Sequence, residues 1–249
     1  MVVQFEDGKK IDLKKGIDLS LPLSNSDANP TAWYVPPPRF EPVMENGWVG
    51  SVELGGAVNF RNIFFNPHGH GTHTECLGHI TPKIHSINER LNTYFFHAFL
   101  ISVTPEEIEK EGEIDHVITK KSLHALKSVE QAEALIIRSL PNSATKKTRH
   151  YSATNPPYLS LDCLEEMNRL GIKHLLIDLP SVDRESDAGA LAFHHAYWSV
   201  PDNPDMERTI TELIYVADEV DDGAYILNLQ VAPFENDAAP SRPVLYAFI

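Results

Sequence analysis

Apolar residues along this chain fall into short runs of strand length separated by amphipathic stretches. Residues 95–103 and 134–138 are continuous apolar runs and predict buried strands. Between them, 104–112 and 120–129 carry the charged, mixed pattern expected of helices. Ser160 opens a clearer helix, with Asp162 in its first turn and Leu161, Leu164, Met167 and Leu170 along one face. Gly171 stops it. Residues 173–178 then predict a buried strand closed by Pro180, 188–199 a helix capped by Asp187, and 209–216 an alternating strand. Two further strands are expected at 225–230 and 244–248. Strands alternating with helices favour a mixed α/β sheet.

Within these elements three features bear on chemistry. In the 188–199 helix, His194 shares its face with Ala190, Leu191, Tyr197 and Trp198, whereas His195 sits nearer the edge. In the 209–216 strand, Glu212 shares a face with Ile210 and Ile214. A carboxylate on a buried apolar face is costly unless it is paired or bound to a metal; on an exposed face it is an ordinary surface residue. Asp178 and Asp183 lie at the carboxyl end of a strand, where α/β proteins often place sites, and serve equally well as cap and turn residues.

Residues 24–48 break the pattern. They are rich in Pro and Asn, contain Trp33, Trp48 and the run Pro36-Pro37-Pro38, and predict a long loop. Such a loop suits a surface excursion, a subunit contact or a lid with aromatics for an aromatic substrate.

The chain has 249 residues, 42% of them hydrophobic and 22% charged, as in an ordinary soluble globular protein. Its formal charge of −14 disfavours nucleic acid and anionic membranes as partners. Cys76 and Cys163 do not form a metal-type pair. The first residues, acidic rather than basic, lack the features of a signal peptide, and no apolar run approaches a membrane span, so a cytoplasmic setting is expected.

The densest chemistry lies at 66–80, Asn-Pro-His-Gly-His-Gly-Thr-His-Thr-Glu-Cys-Leu-Gly-His-Ile, with four of the twelve histidines and one carboxylate. Imidazole and carboxylate together are the ligands of a divalent metal such as zinc or manganese. In an extended segment His73, Glu75 and His79 share one side, while His68, His70, Thr72 and Thr74 point to the other. A kink at Gly69 or Gly71 would bring His70 round as an additional ligand.

This segment resembles the signature of the cyclase-like metal-dependent hydrolases, the family of kynurenine formamidase and isatin hydrolase, written His-x-Gly-Thr-His-x-Asp-x-Pro-x-His. Gly71, Thr72, His73 and His79 match; Glu75 replaces Asp, Leu77 replaces Pro, and Gly69 replaces the first His. Ile17-Asp18-Leu19-Ser20, the 176–183 segment Leu-Ile-Asp-Leu-Pro-Ser-Val-Asp, His194-His195-Ala196-Tyr197-Trp198 and Thr211-Glu212-Leu213 resemble further family segments in the same order.

The resemblance implies a single domain over 1–249, of the swivelling β/β/α type, with a mixed, barrel-like sheet and flanking helices. It implies a metal-dependent hydrolase of a small amide, formamide, lactam or ester, acting on carbon–nitrogen bonds other than peptide bonds. His73, Glu75, His194 and Glu212 would hold the metal, with His70 as the additional candidate, and His79 would be the catalytic acid/base. Because Gly69 removes one ligand, one zinc or manganese ion per chain is expected. A homo-oligomer, dimer or tetramer, acting on a small-molecule substrate is also implied. The rival readings are a lactone or polyketide-type cyclase or hydrolase, and an inactive family member acting as a binding module.

Overall fold

The fold is described from a computed structural model, which covers residues 1–110 and 112–249. Its centre is a nine-stranded mixed sheet that curls into a half-barrel. In order across the sheet the strands are Ala238–Pro240, His73–Glu75, Thr209–Glu212, His174–Ile177, Ala134–Ser139, Phe95–Val103, Gly223–Asn228, Val244–Ala247 and Ile17–Asp18. The four strands from Thr209–Glu212 to Phe95–Val103 run parallel, and antiparallel strands flank them on both sides. Every residue of His174–Ile177 and Ala134–Ser139 is buried, as expected of parallel strands covered on both faces. The mixed, curled sheet expected above is therefore present.

The Cys163–Leu170 helix packs Cys163, Met167 and Leu170 into the main core. Gly171 ends it with φ of 78°, the left-handed conformation that glycine adopts without steric cost. The core runs from Leu19 to Leu245, and Trp198, Tyr197 and Phe193 are among its largest side chains.

Four expectations need correction. The helix at 104–112 is a strand, Glu106–Lys110, paired antiparallel with Glu113–Ile118 through Ile108 and Asp115. Helix preference of Glu and Lys is worth only tenths of a kcal/mol per residue, and hairpin pairing overrides it. Residues 120–129 do form a helix, but of the 3-10 type, Lys120–Ser128. The 188–199 helix shrinks to Ala192–Tyr197, because Ala188, Gly189 and Leu191 have positive φ and cannot begin a right-handed helix. The strand at 209–216 ends at Glu212, because Leu213 at φ 54° turns the chain out of the sheet.

The proline-rich stretch is more structured than a loop. It leads into an arm of paired strands, Arg39–Pro42 with Arg61–Phe64 and Met44–Glu45 with Trp48–Val49. All four residues of Arg61–Phe64 are exposed, so this arm packs little against the half-barrel.

Candidate metal centre

Two short strands build the centre. His73–Glu75 pairs antiparallel with Thr209–Glu212, in a register that places His73 opposite Glu212 and Glu75 opposite Ile210. Directly opposed residues project to the same face, so His73, Glu75 and Glu212 converge. Thr74 and Thr211 lie on the other face, their hydroxyls 2.8 Å apart. Thr72 also points away, accepting a hydrogen bond from Leu21 N and donating to Leu213 O.

His73 donates from Nδ1 to the Gly71 carbonyl at 3.1 Å, which fixes that ring nitrogen as the protonated one. Its Nε2 lies 3.4 Å from Glu212 Oε2 and makes no hydrogen bond, although both side chains are buried. Glu212 Oε1 accepts from Val182 N at 3.2 Å. Glu75 is fully buried; its Oε1 sits 3.1 Å from His194 Nε2, and its Oε2 pairs with His68 Nδ1 at 3.0 Å. A buried imidazole and two buried carboxylates that converge on one point are costly unless paired or bound to a cation. The residues thus fit a divalent ion: His73, Glu75 and Glu212 bring ligand atoms within 4.8 Å of one another, and His194 Nε2 adjoins them.

Asp183 places His194. Its Oδ1 accepts from Phe193 N at 2.7 Å, while its Oδ2 accepts from His194 N at 3.1 Å and lies 2.6 Å from His194 Nδ1. Asp183 therefore caps the short helix and orients its histidine, the role sequence patterning gave to Asp187. Asp187 instead closes the preceding turn by accepting from Gly189 N and Leu191 N. Asp178 belongs to the scaffold: it accepts from Ser139 N and pairs with buried Lys146. Inward-facing His194 agrees with the helix pattern; His195 turns away to the Val200 carbonyl.

Strand parity fails for His68. Asn66 accepts from His68 N, Gly69 N and His70 N in a tight turn, and Gly71 has φ of 79°, so alternation begins only at His73. His68 consequently enters the centre, with Nδ1 3.0 Å from Glu75 Oε2 and Nε2 2.7 Å from Asp237 Oδ2. The additional ligand suggested at His70 is not at the centre: Asn66 N donates to its Nδ1, and its Nε2 donates to the Pro36 carbonyl. Position 69 has no room for a side chain, since a Cβ there would meet Val35 Cγ2 at 2.6 Å.

His79 sits on the 3-10 turn Leu77–His79 and stacks on His68 with ring centroids 4.3 Å apart. Its Nδ1 is 3.4 Å from Asp237 and 3.9 Å from Glu75. His68, Glu75 and His79 form a second group of convergent donors. Neither His68 nor Asp237 was singled out from the sequence. The Asn66 turn was the available signal for His68; nothing in the local pattern marks Asp237.

The carboxylates govern the charges here. Burial disfavours the charged His194 ring, yet Asp183 and Glu75 outweigh it and raise its pKa to about 10. Burial likewise opposes charge on His68, but Asp237 and Glu75 raise it to about 10. Glu75 is pushed up by burial and pulled further down by His79, His194 and His68, ending well below the usual carboxylate range.

Beside these groups lies a cavity of about 240 Å³ lined by Trp33, Asn66, His68, His79, Ser181, Leu191, His194 and Glu212. Trp33 thus brings the 24–48 stretch to the centre, whereas Trp48 is carried away on the arm.

The family model Cyclase, described as "Putative cyclase", matches residues 17–184. The chain belongs to this family. No curated protein matches its sequence. Among solved structures, a predicted metal-dependent hydrolase from Bacillus stearothermophilus aligns with a TM-score of 0.61 at 15% identity, covering 93% of this chain and 98% of that one. An isatin hydrolase bound to the product analogue thioisatinate aligns at 0.67 and 14% identity, covering 94% and 92%. Isatin hydrolase A from Labrenzia aggregata, bound to benzyl benzoate, aligns at 0.64 and 14% identity, covering 94% and 93%. At such identities these alignments establish that the cyclase-family fold spans nearly the whole chain. No helix among the described residues is long and apolar enough to cross a membrane.

Proposed function

We propose that this cyclase-family protein is a metal-dependent hydrolase of a small amide, formamide, lactam or ester, with a carbon–nitrogen bond outside peptides as its main target. The observation that carries this is His73 Nε2, buried without a hydrogen bond 3.4 Å from Glu212 Oε2 and beside Glu75, a set of convergent donors that suits a divalent cation. His73, Glu75, His194 and Glu212 would hold one zinc or manganese ion. When bound, such an ion polarises a carbonyl and lowers the pKa of water to about 7. Asp183 keeps His194 Nε2 aimed toward Glu75, where the ion would be held. His68, His79 and Glu212 line the cavity that would receive the substrate carbonyl, and Trp33 and Leu191 add apolar lining. His79, adjacent but outside the His73 group, accepts a proton and returns it to the leaving nitrogen or oxygen. The two isatin hydrolases among the structural relatives support a cyclic amide as the first substrate class to try. The test is hydrolysis of amides, lactams and lactones by zinc- or manganese-loaded protein; full activity after chelation would overturn it.

The arm supports a homo-oligomer. Trp48, Leu54, Phe60, Ile63 and Phe64 are among the apolar residues exposed on it, and exposed apolar surface of this kind marks interaction sites where it is contiguous. Arg39 and Arg61 nearly balance Glu41, Glu45 and Glu53. The arm is therefore a nearly neutral surface through which two copies of an acidic chain can meet. Light scattering showing a monomer at micromolar concentration would refute this.

A further inference from the structure

Asp237 lies well beyond the part of the chain that matches the family model, yet its carboxylate reaches the centre. Its backbone is held on both sides. Cys76 N donates to the Asp237 carbonyl at 3.0 Å, and Ile87 N donates to Asn236 O at 2.8 Å. The first of these ties Asp237 to the residue immediately before the Leu77–His79 turn. Asp237 Oδ2 is consequently placed 2.7 Å from His68 Nε2 and 3.4 Å from His79 Nδ1. The two imidazoles it touches are stacked, 29° from parallel. Asp237 belongs to neither group of convergent metal donors.

We infer that Asp237 is the positioning residue for His79, an inference that rests on the hydrolase reading above. An imidazole that moves protons must present one defined nitrogen to the leaving group. A carboxylate beside Nδ1 keeps the proton there, which leaves Nε2 as the nitrogen that exchanges with substrate. His68 supports the arrangement from one side: its Nε2 holds the same carboxylate oxygen, and its ring supports the His79 face. Without Asp237, the nearest carboxylate oxygen to His79 Nδ1 is that of Glu75 at 3.9 Å, outside hydrogen-bonding reach. The proton would then sit on either nitrogen and the ring would turn. Asp237 itself neither gains nor loses a proton in this role.

The experiment compares zinc-loaded, full-length wild type with D237N and D237E on two probes. 4-Nitrophenyl acetate has a leaving group that departs without a proton; formanilide must be protonated at nitrogen as its bond breaks. For D237N we expect unchanged zinc content, KM within about threefold, and a kcat on formanilide lower by about 10², the scale of general acid–base catalysis. On 4-nitrophenyl acetate the fall should be only severalfold, and D237E should recover part of the loss on formanilide. Equal losses on both probes, no loss, or zinc loss as complete as in His73→Ala would overturn the inference. If wild type hydrolyses neither probe, the hydrolase reading is what suffers, and Asp237 is judged by 15N NMR of histidine-labelled protein. The expected spectrum shows His79 protonated at Nδ1 in wild type and a mixture of tautomers in D237N. A His79 protonated at Nε2 in wild type would overturn the positioning role.

Discussion

His73 and Glu212 face each other across adjacent antiparallel strands, Nε2 to Oε2 at 3.4 Å, with no hydrogen bond between them. The Gly71 carbonyl accepts from His73 Nδ1 on the far side of the ring, which leaves Nε2 as the ring atom that faces the carboxylate. The pair is buried, and Glu75 lies beside it as a second carboxylate. The pairing makes sense as half of an ion's coordination shell.

The first prediction concerns metal content. His73→Ala and Glu212→Ala should each strip the protein of tightly bound metal as measured by elemental analysis. Wild type should retain one equivalent, at His73, Glu75, His194 and Glu212. The group formed by His68, Glu75 and His79 should bind more weakly, because it offers one carboxylate where the His73 group offers two. Anomalous scattering showing a second full-occupancy ion against His68 Nδ1 would overturn the one-ion reading.

His79→Ala separates catalysis from metal binding. His79 lies on a turn rather than on the paired strands and is outside the His73 donor group. Its loss should leave metal content intact and lower kcat by about 10²–10⁴, the range for a general acid/base. Metal loss equal to that of His73→Ala would make it a ligand instead.

Asp183→Asn tests the support behind the ligands. Asp183 contacts two backbone amides and the His194 ring, so it fixes both the helix start and the ligand's direction. Replacing the partner of a ligating histidine typically costs about 10–100-fold in metal affinity. A fall in melting temperature should accompany this in the metal-free protein, since charged hydrogen bonds of this kind contribute about 1.5–3 kcal/mol each. Unchanged affinity would show that His194 needs no orientation from Asp183.

Much of this was legible in the sequence where periodicity was unbroken. The runs 134–138 and 173–178 read as buried strands because both faces are covered, and Glu212 stood out as a carboxylate between isoleucines. Parity also grouped His73 with Glu75 correctly, since both lie on one short strand. It failed one turn earlier, where Asn66 gathers three amides and Gly71 takes a positive φ. His68 was therefore assigned to the wrong side, and His70 was offered as a ligand although two backbone groups satisfy it. Asp237 reaches the centre only through the pairing of Ala238–Pro240 with His73–Glu75. A long-range register of that kind leaves no trace in local pattern. The arm was hidden for a related reason: its strands are two to four residues long, too short for alternation to declare itself.

The last prediction follows from His194 and its carboxylates. In the metal-free protein its pKa is raised to about 10 against an ordinary 6.5, so the ring carries two protons at pH 7.5. A ligating Nε2 must be bare, and metal uptake must therefore release the proton it holds. Calorimetric titration with zinc in buffers of different ionisation enthalpy should report about one proton released per ion at pH 7.5, and affinity should rise as pH rises toward 10. The same shift sets the stability of the metal-free fold. A raised folded-state pKa stabilises most below the unfolded value near 6.5, and that stabilisation is lost as pH climbs through about 10. Metal-free protein should therefore melt at progressively lower temperature between pH 7 and pH 10. Zinc-loaded protein should lose less over the same range, because the ion has replaced the His194 proton while the raised His68 still contributes. A metal-free melting temperature that is flat or rising across that window, or zinc binding without proton release, would remove His194 from the ligand set.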